Sequence, residues 1–262
     1  MTIRLLAVDG FNLIRRIYEA ILYKSKGENK TKSVNVQEVS QVVEATKSSL
    51  ARALNEHEPS HAAVVMDQHN QTWRHLLYSD YKANRAGTPA ILMSNIAYFT
   101  EAFASLGVKS FSVDGYEADD IVATMATSVS KNHNEVIILS TDKAYLQLMN
   151  DSVVVFDHFA KKRFNRAYIQ QKYGVFIEQY IDYLALVGAG SNNIKGVQGI
   201  GPKSAVSLLS EFGSLDCILS DKSQSALTKK VKASRSEAIR SRLLVTLKVD
   251  VELGQNLKSF RL

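Results

Sequence analysis

The chain has one cysteine, Cys217, in 262 residues. No intramolecular disulfide can form, and zinc sites built on two or four cysteines are excluded. Cys217 sits among apolar neighbours in "SLDCILS" and reads as a small buried hydrophobe. No internal repeat is visible. The N-terminal stretch "MTIRLLAVDGFN" has too short an apolar run for a secretory signal, and no apolar run approaches a membrane span. A cytoplasmic, reducing compartment is therefore expected. What the chain does have is apolar content, 45% hydrophobic residues against 22% charged, enough for one large core or two modest ones. Lys and Arg number 32 against 26 Asp and Glu, a net charge of +6, which suits a polyanionic partner but is common among soluble proteins.

Short β-branched runs recur at residues 3–9, 61–67, 108–114, 135–142 and 152–158. Most are near-continuously apolar, as in strands buried on both faces. Between them, "VSQVVEATKSSLARAL" and "ILMSNIAYFTEAFASLG" repeat apolar residues at helical spacing, the second stopping at a glycine. Strand alternating with helix predicts an α/β fold with a mainly parallel sheet. From about residue 165 strands cease and the pattern turns helical, which predicts two domains, 1–164 and 165–262. The stretch "YKSKGENKTKS" (23–33) lacks apolar periodicity and reads as a mobile surface loop.

Four of the expected strands end in aspartate: Asp9, Asp67, Asp114 and Asp142. Ligands of open parallel sheets bind outside the carboxyl ends of the strands. The third is followed by "DGYEADDIVA", where a helix is expected to begin and where Glu117 and Asp120 would share a face beside Asp119. Acidic residues in a first helical turn often do no more than cap amides and suit the helix dipole. Asp9, Asp67, Glu117, Asp119, Asp120 and Asp142 on one edge would repel one another and need a cation. Oxygen ligands without a Cys or His cluster point to a hard ion, Mg²⁺ or Mn²⁺.

If residues 72–85 were one helix, Arg74, Tyr78, Tyr81, Lys82 and Arg85 would form a single stripe of cations and aromatic rings. Such a stripe fits nucleic acid, and fits equally an ordinary solvated face with half-buried tyrosines. In "KGVQGIGPKSAVSLLSEFGS", Gly196, Gly199 and Gly201 precede an amphipathic helix with Pro202 in its first turn. That turn would present free amides, with Lys203 and Ser204, to a DNA phosphate; a tight ligand-free helix connection is the plainer alternative. Lys229, Lys230, Lys232, Arg235, Arg240 and Arg242 could extend a DNA track or be solvated surface.

The ordered set "VDGFNLI", "MDQ", "TWRHLLYSDYKANR", "DGYEADDIVAT", "STDKAYLQL", "GVQGIGPKSA" and "LLVTLKVDVEL" resembles the 5′-nuclease family, which includes bacterial and phage flap endonucleases and the 5′-nuclease domain of DNA polymerase I. The resemblance is collinear over nearly the whole chain. It implies a PIN-like nuclease domain, a helical arch and a helix–three-turn–helix DNA-binding domain. It places Asp9, Asp67, Glu117, Asp119, Asp120 and Asp142 on metal-site acids. Tyr81, Lys82 and Arg85 fall on arch residues that contact the scissile phosphate or flanking base, Lys82 and Arg85 as the catalytic cations; Arg74, from the stripe, is expected to contact DNA. Main-chain carbonyls of Leu186, Val187, Lys195, Val197 and Ile200 fall on a K⁺ site, and Gly199, Ile200, Gly201, Pro202, Lys203 and Ser204 on the duplex backbone. Three positions depart from the family's full two-metal pattern: Ala144, Ala189 and Asn192 stand where acids are expected.

The implied activity is Mg²⁺-dependent cleavage of 5′-flapped or branched DNA by a monomer in the bacterial cytoplasm, associated with the nucleoid through DNA, without a small-molecule cofactor. Replication primer or flap removal, or repair, is the implied setting. Two rivals are a flap-binding protein that barely cuts, given the missing acids, and a PIN-type ribonuclease, which "VDGFN" and scattered aspartates also fit. The glycine turn and the basic arm argue against the ribonuclease.

Overall fold

The computed structural model of the protein describes residues 3–26, 36–68, 70–222 and 225–262. The apolar runs form strands β1 (Arg4–Asp9), β2 (His61–Val65), β3 (Lys109–Phe111), β4 (Glu135–Leu139) and β5 (Val153–Asp157). A short β6 (Lys162–Arg163), not read from the sequence, closes the edge. The sheet order is β3-β2-β1-β4-β5-β6, and every pairing is parallel except β5 with β6. The central strand reads as a continuous apolar run because both faces are covered: Leu5, Leu6, Ala7 and Val8 are all fully buried. Leu5 and Ala7 pack toward helix Ala118–Ser130, and Leu6 and Val8 toward helices Gly10–Lys26, Val36–His57 and Ile96–Ala104. The chain leaves β1 for β2 and β3 on one side and returns to β4 on the other. The carboxyl ends of β1 and β4 therefore flank the topological switch point.

The helical region contains helices Arg166–Tyr173, Tyr180–Val187, Pro202–Phe212, Leu215–Ser220, Ala226–Ala233 and Arg235–Val245. Strands do not cease entirely, since β7 (Gly188–Ala189) and β8 (Ile194–Lys195) form a two-residue antiparallel pair in the turn between the second and third of these helices. The two regions share one core, which runs from Leu5 and Ala63 through Ile121 to Leu208, Leu215 and Ala238. The chain end returns to the six-stranded sheet: the Leu262 amide donates to the Ser60 carbonyl (3.2 Å), and Phe260 packs on Phe111 with ring centroids 5.1 Å apart.

Several sequence expectations need correction. Residues 72–85 are not one helix. Helix Trp73–Leu77 ends at Tyr78, whose backbone is extended, and turns follow, with Lys82 at φ +56°. Among the described residues this stretch is no helical arch. Residues 91–107 split at Asn95 into helices Ala90–Ser94 and Ile96–Ala104. The first helix continues to Lys26, so the expected loop at 23–33 begins later, and its remainder lies outside the described residues. Cys217 is exposed, because its helix turns Leu215, Ile218 and Leu219 inward instead. Among the described residues no helix is long and apolar enough to cross a membrane.

Gly10 joins β1 to its helix and permits close approach of β2. A Cβ there would lie 2.3 Å from Met66 Sδ, 2.8 Å from Val64 Cγ1 and 2.9 Å from the Val65 carbonyl oxygen. The methionine could swing away; the backbone oxygen cannot. Gly10→Ala is expected to destabilise the fold by about 2–3 kcal/mol in urea unfolding, and a change below about 0.5 kcal/mol, the usual size of a surface substitution, would contradict this packing.

Candidate active site

Sheet topology gathers the acids. Asp9 is the last residue of β1, Asp67 and Asp142 lie just beyond β2 and β4, and Asp119 is in the first turn of helix Ala118–Ser130. These four carboxylates line one cleft of about 330 Å³. Lys82 and Arg85 face the same cleft, as do Arg15 and Arg16 from the first helix. The sequence reading missed Arg15 and Arg16. Their signal was their place about two turns past Asp9 on a helix that starts at the same edge.

Local bonding sets each acid. Asp9 accepts from the Asn12 amide (3.1 Å) and the Ser140 hydroxyl (3.1 Å). Asp67 caps the helix by accepting from the Ala118 amide at 2.7 Å, and Asp142 accepts from the Ala144 amide at 2.8 Å. Tyr145, fully buried beneath them, points its hydroxyl at Asp9 (3.4 Å). Burial first, then Asp67 and Asp142, raises the Asp9 carboxyl to about 7. Burial, then Asp142 and Asp9, also holds Asp119 well above the usual range, with Lys82 pulling the other way. Among the described residues no group of three or more acids, histidines or cysteines is arranged as a ready-made metal cage. The donor set nevertheless suits a hard ion that keeps several of its waters: the four side chains are carboxylates, and burial with neighbouring negative charge favours protons on Asp9 and Asp119 until a cation compensates them.

Glu117 and Asp120, expected with the metal ligands, face another way. Asp120 is fully buried and accepts from both terminal nitrogens of Arg74 (2.7 and 2.8 Å), from the Trp73 indole (2.9 Å) and from the Lys248 amide (2.8 Å). Its oxygens are thus committed. Glu117 accepts from Arg74 (3.0 Å), from the Tyr81 hydroxyl (2.9 Å) and from Lys82 Nζ (2.6 Å). Burial works against the Glu117 carboxylate, but Lys82 and then Arg74 outweigh it and hold its pKa below the usual value. Arg74, expected on a DNA-facing stripe, is only 1% exposed. Tyr81 is likewise buried, and burial together with Glu117 raises its phenol far above the ordinary range.

A second cavity of about 260 Å³ shares Asp119 and Asp142 with the first. Its walls include Ala144, Ala189 and Asn192, together with Lys143. The three positions expected to carry acids therefore do meet at one place, and none of them brings charge to it.

The glycine turn lies between helices Tyr180–Val187 and Pro202–Phe212. Helix Pro202–Phe212 has Gly201 as its N-cap with no side-chain cap, and Gly199, Gly201, Pro202 and Lys203 are exposed. Of the five carbonyls expected around K⁺, Leu186 accepts from the Val197 amide (2.8 Å), Val197 from the Ile200 amide (3.0 Å) and Lys195 from the Ser241 hydroxyl. Each keeps a second lone pair. The basic run is partly spent internally: Arg242 pairs with Asp216 and Asp182, Lys232 lies beside Asp221, and Arg240 stacks over Tyr78. Lys229 and Lys230 remain exposed, with Lys230 alongside Gly199.

Comparison with known proteins gives two matches to family models: the N-terminal resolvase-like domain of 5′-3′ exonucleases over residues 4–174, and their C-terminal SAM-fold domain over residues 175–262. The flap endonuclease Xni of Psychromonas ingrahamii is 40% identical over 98% of this chain and 96% of its own length. That of Photobacterium profundum is 37% identical over 100% of this chain and 98% of its own. Among solved structures, the bacteriophage T5 flap endonuclease in a pseudo-enzyme–product complex with DNA and metal ions is 25% identical with a TM-score of 0.72, over 92% of this chain and 88% of that one. A phage T5 5′-exonuclease with zinc bound has the same fold, at a TM-score of 0.73 and 23% identity over 92% of this chain and 89% of that one.

The raised Asp9 pKa fixes a pH dependence. A proton on Asp9 contributes stability that is fully present below the unfolded value of 3.8 and is lost as pH rises through about 7. In metal-free buffer the melting temperature should fall across that window more steeply than that of Asp9→Asn. Added divalent cation should flatten the fall. Thermal unfolding with chelator at constant ionic strength tests this, and an identical slope for both proteins would contradict it.

Proposed function

The chain belongs to the 5′-3′ exonuclease family, and from that premise we propose that it is a flap endonuclease that hydrolyses a phosphodiester near the junction of 5′-flapped DNA, with Mg²⁺ at the acidic cleft and Mn²⁺ able to substitute. The observation that carries this reading is the cleft, where Asp9, Asp67, Asp119 and Asp142 share one volume with Lys82 and Arg85. The Xni relatives are flap endonucleases by name, and the phage T5 enzyme was captured with both DNA and metal ions.

Asp9, Asp67, Asp119 and Asp142 are the residues to hold a divalent ion. When bound, the ion supplies charge compensation and Lewis acidity. The chain's own part is positioning. Lys82, held on Glu117 at 2.6 Å, and Arg85 bring positive charge to the phosphate as its leaving oxygen departs. Glu117 and Asp120 act through the cations they hold. Arg74 and Tyr81 belong to that support, which replaces the direct DNA contacts expected of them.

The exposed turn from Gly199 to Ser204 offers helix N-terminal amides to the duplex backbone, and K⁺ at the carbonyls of Leu186, Val187, Lys195, Val197 and Ile200 would brace it. Specificity then comes from junction shape and backbone contact, without base-edge reading. Lagging-strand primer or flap removal, or repair, is the setting we assign, for a monomer in a bacterial cytoplasm. A flap-binding protein with feeble cleavage is the second reading, favoured by the uncharged Ala144, Ala189 and Asn192 in the adjoining cavity.

Flap cleavage by the unaltered protein separates the two readings, and Asp119→Ala tests the site. Cleavage of a 5′-flapped duplex in Mg²⁺ should be abolished while affinity for the same DNA is unchanged or higher, because local repulsion of phosphates falls. Full activity in that variant would overturn the site. Absent cleavage in the unaltered protein, with tight binding, would establish the binding reading.

A further inference from the structure

Lys82 holds an unusual backbone. Its φ of +56° lies in the left-handed region, which lysine rarely adopts, and such a conformation persists only when its surroundings impose it. Here they come from a distant part of the chain. The Lys82 amide donates to the Asn192 carbonyl (2.9 Å), the Asn84 side chain to the Gly190 carbonyl (2.8 Å) and Arg85 Nε to the Ser191 carbonyl (2.8 Å). In the other direction, Asn193 Nδ2 donates to the Asp80 carbonyl at 2.7 Å. Asn193 is itself left-handed, φ +54°, a conformation asparagine tolerates, and its amide donates to the Gly190 carbonyl (3.1 Å). Beneath this seam Tyr81 and Ile194 belong to one buried cluster.

The geometry points to Asn193 as a positioning residue for Lys82. Loop 190–193 brings no carboxylate to the cleft. It presents three consecutive carbonyls as a mould for the turn that carries Lys82 and Arg85, and Asn193 clasps that turn by donating back to it. Fixed at both ends, by Asn192 at the backbone and by Glu117 at the ammonium, Lys82 is held ready for phosphate. The cost of misplacing such a group is steep, since an error of about 1 Å can remove a large part of the rate. This rests on the reading of Lys82 as the cation that meets the scissile phosphate.

The test is a double-mutant cycle on flapped-duplex cleavage with Asn193→Gly, Lys82→Ala and the pair, with kcat and KM measured separately. Glycine removes the amide without straining the left-handed backbone. Asn193→Asp serves as a second variant, keeping the size but offering no donor. Each should lower kcat by about tenfold and leave KM and the melting temperature unchanged. In the Lys82→Ala background, Asn193→Gly should cause a much smaller loss, the remainder being what acts through Arg85 on the same turn. In the DNA-free protein, hydrogen exchange at the Lys82 amide should quicken in both Asn193 variants while helix Pro202–Phe212 stays protected. If Lys82→Ala cuts as well as the unaltered protein, the reading of Lys82 fails. If Lys82→Ala is impaired but Asn193→Gly is not, or if its loss is undiminished without Lys82, or if Lys82 exchange is unaltered, the positioning role is overturned.

Discussion

One buried cation organises this molecule. Arg74 directs all five of its N–H donors to protein acceptors: Nε to the Leu244 carbonyl, one terminal nitrogen to Glu117 and Asp120, the other to Asp120 and the Thr246 carbonyl. The two carboxylates come from the start of helix Ala118–Ser130, which packs on the sheet, and the carbonyls from the end of helix Arg235–Val245. One side chain therefore stitches the two regions together at the floor of the active edge. An unpaired guanidinium there would be costly, as would two unpaired carboxylates, so none of the three tolerates loss of the others. Trp73 adds a ring 4.4 Å from the guanidinium and an indole donor to Asp120.

That arrangement divides the acid string "EADD" in two. Glu117 and Asp120 neutralise Arg74 and Lys82, while Asp119, between them in sequence, turns to the cleft with Asp9, Asp67 and Asp142. In the cleft, burial and then the neighbouring carboxylates raise the pKa values of Asp9 and Asp119. The contrast is physical. Glu117 and Asp120 are taken up by Arg74 and Lys82 and complete the scaffold, while the acids that line the cleft are the ones we assign to an ion. With Ala144, Ala189 and Asn192 uncharged, the carboxylates that line the adjoining cavity are the shared Asp119 and Asp142.

The sheet was legible because it depends on a short-range signal: a strand covered on both faces must be apolar at nearly every position, and β1 is. The carboxyl-edge acids followed from topology alone. Other features were hidden for identifiable reasons. Arg74 reads as a surface cation in any local window, and only the fold brings Leu244, Thr246 and Asp120 around it. The stripe from Arg74 to Arg85 has helical spacing, yet tertiary bonds to loop 190–193 hold Lys82 in a left-handed turn that no helix allows. Cys217 sits among apolar neighbours in sequence but on the outer face of its helix. Tyr145 escaped notice because a tyrosine in an apolar stretch looks like packing until its hydroxyl is seen beneath Asp9.

The central claim, that Arg74 ties the two regions together through buried charge, is tested most directly by denaturant unfolding of Arg74→Met at neutral pH. With Asp120 and Glu117 left buried and unanswered, stability should fall by about 3–5 kcal/mol. Adding Asp120→Leu should recover much of that loss, because the most deeply buried uncompensated charge is then gone. A loss within about 0.5 kcal/mol, the range of ordinary surface substitutions, would contradict the account.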